Sequence, residues 1–188
     1  MRAFIAVELP QEVRAELAKL QGQLARAQAD VKWTEEDNLH VTMRFLGEIT
    51  EDQRRAIEQL LGRIASRTTP IRMSLAQLGA FPSRSSPRVI WVGIGQGHEE
   101  LSRIADELEE GLSVLRFPKE GREFVAHVTL GRVRSPRNRA QLAQAMQELI
   151  WHPPEPFWAT HLTMFQSTLT SSGPIYTALV KPPFSQPA

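Results

Sequence analysis

Hydrophobic positions along this chain recur with two periods, one typical of strands and one typical of helices. Residues 2–8 form a short apolar run that ends before Pro10, which indicates a strand. Between residues 11 and 28 the apolar side chains are three or four positions apart, so they share one face of a predicted helix. Apolar and polar residues alternate over 40–46, as in a half-buried strand, and a capping-box pattern opens a second helix over 51–64.

The same order of elements returns after an offset of 87 residues. This repeat predicts two copies of one β-α-β-α-β unit followed by a closing strand. The predicted helix at 11–28 maps onto 98–115, the helix at 51–64 onto 138–151, the strand at 71–79 onto 158–166, and the strand at 88–94 onto 175–181.

The duplication predicts an α+β fold with pseudo-two-fold symmetry. We expect a bilobal molecule in which two antiparallel-rich sheets with flanking helices surround a central cleft. Because no Gly/Ser-rich linker separates the halves, residues 1–188 are expected to form one domain. Its repeat units lie at about 1–87 and 88–174, and its closing strand lies at 175–181.

The two predicted strands at equivalent positions carry the same short motif. The first contains His40-Val41-Thr42 and the second His127-Val128-Thr129. Within each motif the histidine and threonine share one face of a strand, about 7 Å apart along it. A third copy begins at His161, but the position 87 residues before it lies on a different predicted strand. We therefore expect His161 to be an ordinary strand residue without a catalytic partner.

Two imidazoles that face each other across a cleft can hold different protonation states near neutral pH, so one can act as acid and the other as base. Two neighbouring hydroxyls can donate hydrogen bonds to phosphoryl oxygens. Both histidines could instead be ordinary strand residues, or they could bind zinc. A zinc site needs a third ligand, and the chain has no cysteine and no His-x-x-x-His spacing. These residue types favour metal-independent cleavage of a phosphodiester.

Composition and charge indicate where the protein acts and which kind of ligand it binds. No apolar run approaches the ~20 residues that cross a bilayer, and the start of the chain has the pattern of a strand, so we expect a cytoplasmic protein without membrane attachment. The net charge is +1, but residues 116–139, which flank the second motif, carry a net +5. A phosphate ligand would explain that basic run, and so would an exposed loop.

Several segments together resemble one known family. They are the paired motifs in LHVTMRFLG and HVTLGRV, the opening MRAFIAVELP, the segments GAFPS and RVIWVGI, and the late FQSTLTSSGPIYTALV. The chain is similar over nearly its whole length to the 2H phosphoesterase superfamily, and within it to the RNA 2',3'-cyclic phosphodiesterases, also called 2'-5' RNA ligases. The resemblance implies a single bilobal 2H phosphoesterase domain that converts RNA 2',3'-cyclic phosphates into 2'-phosphates.

The resemblance also implies roles for individual residues. His40 corresponds to the proton donor and His127 to the proton acceptor, while Thr42 and Thr129 hold the phosphoryl oxygens. Arg132 matches a family arginine that contacts the phosphate. Strict alternation along the strand would place Arg132 on the apolar side, so it needs a β-bulge or a curling side chain. Arg44, which alternation places on the face of His40, is the alternative phosphate ligand.

Trp33 and Phe81 are candidates for stacking on a base, and packing in the core is the alternative for each. The expected partners are RNA ends that bear a 2',3'-cyclic phosphate, with no membrane, no metal and no cofactor, and the chain is expected to act as a monomer. Weak 2'-5' ligation is expected from the same chemistry. Three alternatives remain open: another small cyclic phosphate, a 2'-5' linked oligonucleotide, or an RNA-end binder without catalysis.

Overall fold

The computed structural model describes residues 1–186, and within that range it contains four α-helices and ten strands. The helices are α1 (Gln11–Ala25), α2 (Glu51–Ser66), α3 (His98–Val114) and α4 (Arg139–Glu148). The strands are β1 (Arg2–Glu8), β2 (Val31–Trp33), β3 (His40–Glu48), β4 (Ile71–Met73), β5 (Leu75–Pro82), β6 (Pro87–Ile94), β7 (His127–Val133), β8 (Phe157–Ala159), β9 (Thr163–Thr170) and β10 (Gly173–Val180).

The duplication read from the sequence agrees with the positions of these elements. Helix α1 begins at Gln11 and α3 at His98, while β3 begins at His40 and β7 at His127, both 87 residues apart. Each of the strands predicted at 71–79 and 158–166 is split in two. Their first parts, β4 and β8, pair with each other in a small separate sheet, whereas β5 and β9 join the main sheet.

The main sheet confirms the α+β class with antiparallel strands and shows how the two halves are combined. Its order is β10-β9-β1-β3-β7-β6-β5, and β2 also pairs with β7. Strand β9 of the second half lies beside β1, and β5 of the first half lies beside β6. Each lobe is therefore built from strands of both repeats. The lobes meet where β3 runs antiparallel to β7, at the pair Val41 and Val128.

The apolar stripes of the helices pack against one face of this sheet, and together they form the hydrophobic core. Helix α2 packs against α3, and α1 packs against α4. The capping box predicted before α2 is present, since Thr50 and Gln53 each bond the other's backbone N–H. Each fully buried Leu or Ile side chain in these stripes contributes about 1.5–3 kcal/mol relative to exposure. No helix among residues 1–186 is long and apolar enough to span a bilayer.

The opposite face of the sheet carries a second, smaller buried group. On β1, Ile5 and Val7 belong to the main core, whereas the alternate residues Phe4 and Ala6 are buried outside it. Alternation along a strand places this second pair on the face away from the helices. His40 stacks on Phe4 there, and we call this side of the sheet, which carries His40, the functional face.

Candidate active site

The junction of β3 and β7 brings the two His-x-Thr motifs together. Val41 and Val128 are paired and fully buried in the core, so the residues that flank them lie on the other face. In an antiparallel pair, the residue after Val41 is opposite the residue before Val128, and the residue before Val41 is opposite the residue after Val128. Thr42 thus lies across from His127, and His40 across from Thr129, with directly opposed Cβ atoms in such pairs about 4.5–5.5 Å apart. The histidines are diagonal neighbours, which in such pairs are typically about 7–8 Å apart.

The His40 ring is held by a short turn before its strand. The Nδ1 atom lies 2.7 Å from the carbonyl oxygen of Asn38, which can only accept, so Nδ1 carries the hydrogen. The Nε2 atom lies 2.8 Å from the Thr42 hydroxyl. Asn38 in turn donates to the carbonyl of Pro174, which ties this turn to the start of β10. Neutral His40 accepts from Thr42 at Nε2, and protonated His40 donates there.

The His127 ring is oriented in the same way on the other lobe. Its Nδ1 donates to the carbonyl of Val125 at 2.7 Å, which leaves Nε2 as the nitrogen that can accept a proton. The ring meets Phe81 edge-on, with centroids 5.5 Å apart, and lies 6.1 Å from the ring of Trp91. Two equivalent histidines therefore present the same nitrogen to one cleft.

The electrostatic surroundings of the two histidines differ. Burial lowers the pKa of His40 below its ordinary value, while the Asn38 carbonyl and the Glu8 carboxylate act in the opposite direction. Burial also lowers the pKa of His127, the Val125 carbonyl opposes this, and the charge of Arg132 lowers it further. An anion next to His40 favours its protonated form, and a cation next to His127 favours its neutral form.

A β-bulge turns Arg132 toward the cleft. Thr129 is opposite Trp91 and Gly131 is opposite Ile90, so Leu130 is the extra residue on β7. After this bulge the alternation is shifted by one, and Arg132 follows Thr129 on the functional face. Its charge acts on His127 and, across the junction, on Tyr176 of β10, whose pKa burial raises and Arg132 lowers.

The bulge is held by a buried side chain that the sequence analysis did not single out. Gln21 of α1 donates from Nε2 to the carbonyl of Leu130 and to that of Thr34, both at 2.8 Å. The N–H of Thr34 also donates to Leu130 at 2.8 Å. A polar residue within the apolar stripe of a predicted helix was the available signal, since such a residue needs partners when buried.

Arg44 is directed to the opposite side, so the prediction that it shares the face of His40 is wrong. A bulge at Met43 shifts the alternation of β3, and Arg44 lies opposite Ile5 on the core face. The guanidinium, with 9% of the side chain exposed, bonds Glu109 at 3.1 Å and Glu120 at 2.7 Å. It also donates to the carbonyl of Pro118. These contacts join β3 to α3 and to the following loop.

The two candidates for base stacking lie on different faces. Trp33 is opposite Gly131, on the core face, where a Cβ on that glycine would come within 2.9 Å of the indole. Trp33 thus packs over a position that must be glycine, and it is directed away from the histidines. Phe81 is 39% exposed, contacts the His127 ring edge-on, and lies 5.0 Å from Trp91 between ring centroids.

Several residues of the functional face were missed at the sequence level. Phe4 stacks on His40 with centroids 4.9 Å apart, Tyr176 meets the His40 ring edge-on at 5.6 Å, and Phe165 stacks on Phe4. The available signal was again the repeat, because Phe4 and Trp91 are 87 residues apart and each lies beside a motif histidine.

His161 lies outside the strands of the main sheet, in an isolated bridge with Pro183, so the expectation that it is an ordinary strand residue is wrong. Its Nδ1 is 2.8 Å from the hydroxyl of Thr160, and its charge acts on Glu8. That it has no catalytic role stays a prediction. Among residues 1–186, no three His, Cys, Asp or Glu side chains cluster as a metal site would require.

Comparisons with known proteins agree with the duplicated fold. The family model described as LigT like Phosphoesterase matches twice in succession, over residues 7–91 and 92–176. The RNA 2',3'-cyclic phosphodiesterase of Methanocaldococcus jannaschii is 38% identical over 176 residues, which is 94% of this chain and 96% of the relative. That of Aeropyrum pernix is 39% identical over 163 residues, covering 87% and 92%.

Solved structures share the whole architecture. The structure of TT0787 from Thermus thermophilus superposes with a TM-score of 0.82 at 30% identity and covers 99% of both chains. The structure of E. coli LigT in complex with 3'-AMP gives a TM-score of 0.79 at 26% identity and covers 98% of both chains. The curated relatives thus match most of this chain in sequence, and the solved structures match nearly all of it in fold.

Proposed function

This chain belongs to the LigT-like phosphoesterase family, and on that premise we propose that it hydrolyses RNA 2',3'-cyclic phosphodiester ends to RNA 2'-phosphomonoesters. The observation that carries the proposal is the histidine pair, in which two equivalent imidazoles differ in the charge beside them. The names of the relatives from Methanocaldococcus jannaschii and Aeropyrum pernix support the choice of an RNA cyclic phosphate as substrate.

In the proposed reaction, His127 and His40 move protons in opposite directions. The Nε2 atom of neutral His127 takes a proton from water as the water oxygen forms a bond to phosphorus. The bond between phosphorus and the 3'-oxygen breaks, and Nε2–H of protonated His40 gives its proton to that oxygen. The product carries a 2'-phosphate and a 3'-hydroxyl. Proton exchange with solvent then restores neutral His127 and protonated His40.

The remaining functional face supplies binding and charge. Thr42 and Thr129 donate to the non-bridging oxygens, and Arg132 stabilises the negative charge that grows on them in the transition state. The base of the terminal nucleotide stacks on Phe81, where ring stacking tolerates any base. With an RNA hydroxyl in place of water, the same acid/base pair joins 2'-5' linkages, and competition from water keeps that ligation weak.

The experiment uses a short RNA that ends in a 2',3'-cyclic phosphate, with the chemical identity of the product end determined in the presence of EDTA. We expect a 2'-phosphate. His40→Ala and His127→Ala should each lower kcat about 10²- to 10⁴-fold, the usual contribution of a general acid or base. His161→Ala is the matched control, because it lacks an equivalent partner in the other repeat, and it should retain wild-type turnover.

Two results would contradict this function. Loss of wild-type turnover in EDTA would point to a metal-dependent reaction. A 3'-phosphate product would mean that the 2'-oxygen leaves, so that the bond assigned above is not the one that breaks. A cyclic mononucleotide and a 2'-5' linked dinucleotide, tested beside the RNA, should be poorer substrates; a reversed order would identify one of them as the substrate class.

A further inference from the structure

Glu8 lies next to His40 at the end of β1. The two residues are paired in the register of β1 and β3, and Glu8 shares the functional face with Phe4 and Ala6. Its Oε2 accepts hydrogen bonds from the Thr163 hydroxyl at 2.8 Å and from Lys181 Nζ at 2.7 Å. The carboxylate is thus fixed by the neighbouring strand and by the segment after β10.

The repeat has no counterpart of this carboxylate. The position 87 residues after Glu8 is Gly95, which has no side chain. Conversely, the position 87 residues before Arg132 is Phe45. The two-fold arrangement of histidines is consequently broken by one anion on the His40 side and one cation on the His127 side.

We propose that Glu8 is a positioning residue that keeps the proton on His40, and that Lys181 limits the strength of this effect by partly neutralising the carboxylate. The proposal rests on the proposed function for its consequence, because it explains the acid role of His40 by a charge on the neighbouring strand, outside the His-x-Thr motifs. Glu8 acts through His40 and touches neither water nor phosphate in the reaction.

The charged and titratable groups around these residues are few. His40 is influenced by Glu8 of β1 and by His127 of β7, and its ring edge meets Tyr176 of β10. Glu8 is influenced by Lys181, His161 and the Thr163 hydroxyl. Burial alone raises the pKa of Glu8, but the hydrogen bonds from Lys181 and Thr163, with the charges of Lys181 and His161, lower it overall. Glu8 therefore remains a carboxylate over the pH range in which histidines titrate.

The test compares two neutralising substitutions of opposite sign, Glu8→Gln and Lys181→Gln, in the pH profile of kcat/KM. Loss of the carboxylate lowers the pKa of His40, so its proton is lost at lower pH and the alkaline limb should move down by about 1 pH unit. Loss of the ammonium strengthens the carboxylate, so the alkaline limb should move up. The acid limb, which reports His127, should stay in place in both variants.

Titration of the His40 imidazole by NMR gives a readout that does not depend on turnover. The His40 signals are assigned by their absence in His40→Ala, and they should show the same two opposite shifts in the free protein. His161→Ala is the matched control, since it leaves Glu8 and its bonds to Thr163 and Lys181 in place, and it should leave the alkaline limb unchanged. Melting temperatures of all variants identify any that fail to fold.

Each outcome decides between the two proposals. If both substitutions lower kcat/KM at every pH and the limbs and NMR titrations stay fixed, Glu8 is a structural residue only and the inference is overturned. If the NMR shifts occur while the wild type does not hydrolyse the cyclic phosphate, the influence of Glu8 on His40 stands and the proposed function fails.

Discussion

The two halves of the cleft have the same motif on the same backbone and opposite surroundings. His40 stacks on Phe4 and has a carboxylate beside it, whereas His127 meets Phe81 edge-on and has a guanidinium beside it. The repeated positions determine where the imidazoles lie and which nitrogen they present. In the proposed mechanism, the positions that differ between the repeats determine which imidazole holds the proton. The duplicated positions thus provide the geometry, and we propose that the charged positions that differ set the direction of proton transfer.

The β-bulges of β3 and β7 show how one repeated backbone feature can carry two different side chains. Both β3 and β7 have an extra residue after the His-x-Thr motif, at Met43 and at Leu130, again 87 residues apart. Each bulge turns the residue two positions later toward the functional face. In the first repeat that residue is Phe45, which is 58% exposed, and in the second it is Arg132. One backbone feature therefore gives the cleft an aromatic side and a cationic side.

Among substitutions that alter the difference between the two halves, Arg132→Met is expected to have the largest effect on kcat/KM. It removes the cation on the His127 side and keeps most of the side-chain volume. Loss of charge stabilisation in the transition state should lower kcat/KM about 10²- to 10³-fold, as for other single donors to a developing oxyanion. Because Arg132 lowers the pKa of His127, its loss raises that pKa, so the acid limb of the kcat/KM profile should move to higher pH. The profile is measured on the RNA cyclic phosphate.

Arg44→Met is the matched control for Arg132. It should leave kcat/KM within a factor of about two, because Arg44 bonds carboxylates on the other face of the sheet. It should lower the free energy of unfolding by about 1–3 kcal/mol, since the partner carboxylates Glu109 and Glu120 are partly exposed and can regain water. If Arg44→Met folds well but loses as much activity as is expected for Arg132→Met, then Arg44, and not Arg132, would be the phosphate ligand.

A smaller effect is expected from Phe81→Ala, in the His127 half. Loss of one stacking partner weakens single-stranded RNA binding by about 1–3 kcal/mol, so KM should rise about tenfold or more while kcat changes little. Trp33→Phe is the control. This substitution should leave KM unchanged, because Trp33 packs over Gly131 on the core face. Equal KM for the wild type and Phe81→Ala would remove Phe81 from the binding site.

The period of the sequence predicted most of the fold, and strict alternation failed where the site departs from regular structure. The 87-residue offset located both histidines and both threonines, because no bulge falls within either His-x-Thr motif and the two side chains therefore stay on one face. It could not show that β5 and β9 exchange places between the lobes, since pairing partners leave no mark on a strand's own period. Alternation also misplaced Arg44, because the bulge at Met43 changes the face of the residue that follows it. A bulge also depends on contacts from outside its strand, such as that of Gln21 with Leu130 on β7.

Gln21→Leu tests that contact and should have the smallest effect of the three. The carbonyl of Leu130 keeps the N–H of Thr34, so the bulge loses one of two donors, and the free energy of unfolding should fall by about 1–2 kcal/mol. A loss of about 1 kcal/mol in positioning Arg132 corresponds to about a fivefold decrease in kcat.

The acid limb of the kcat/KM profile should move part of the way toward its position in Arg132→Met. Gln23→Leu, exposed on the same helix, is the control. If Gln21→Leu lowers stability as expected while kcat and the acid limb match the wild type, then the bulge holds its shape without α1, and the direction of Arg132 is determined within the sheet.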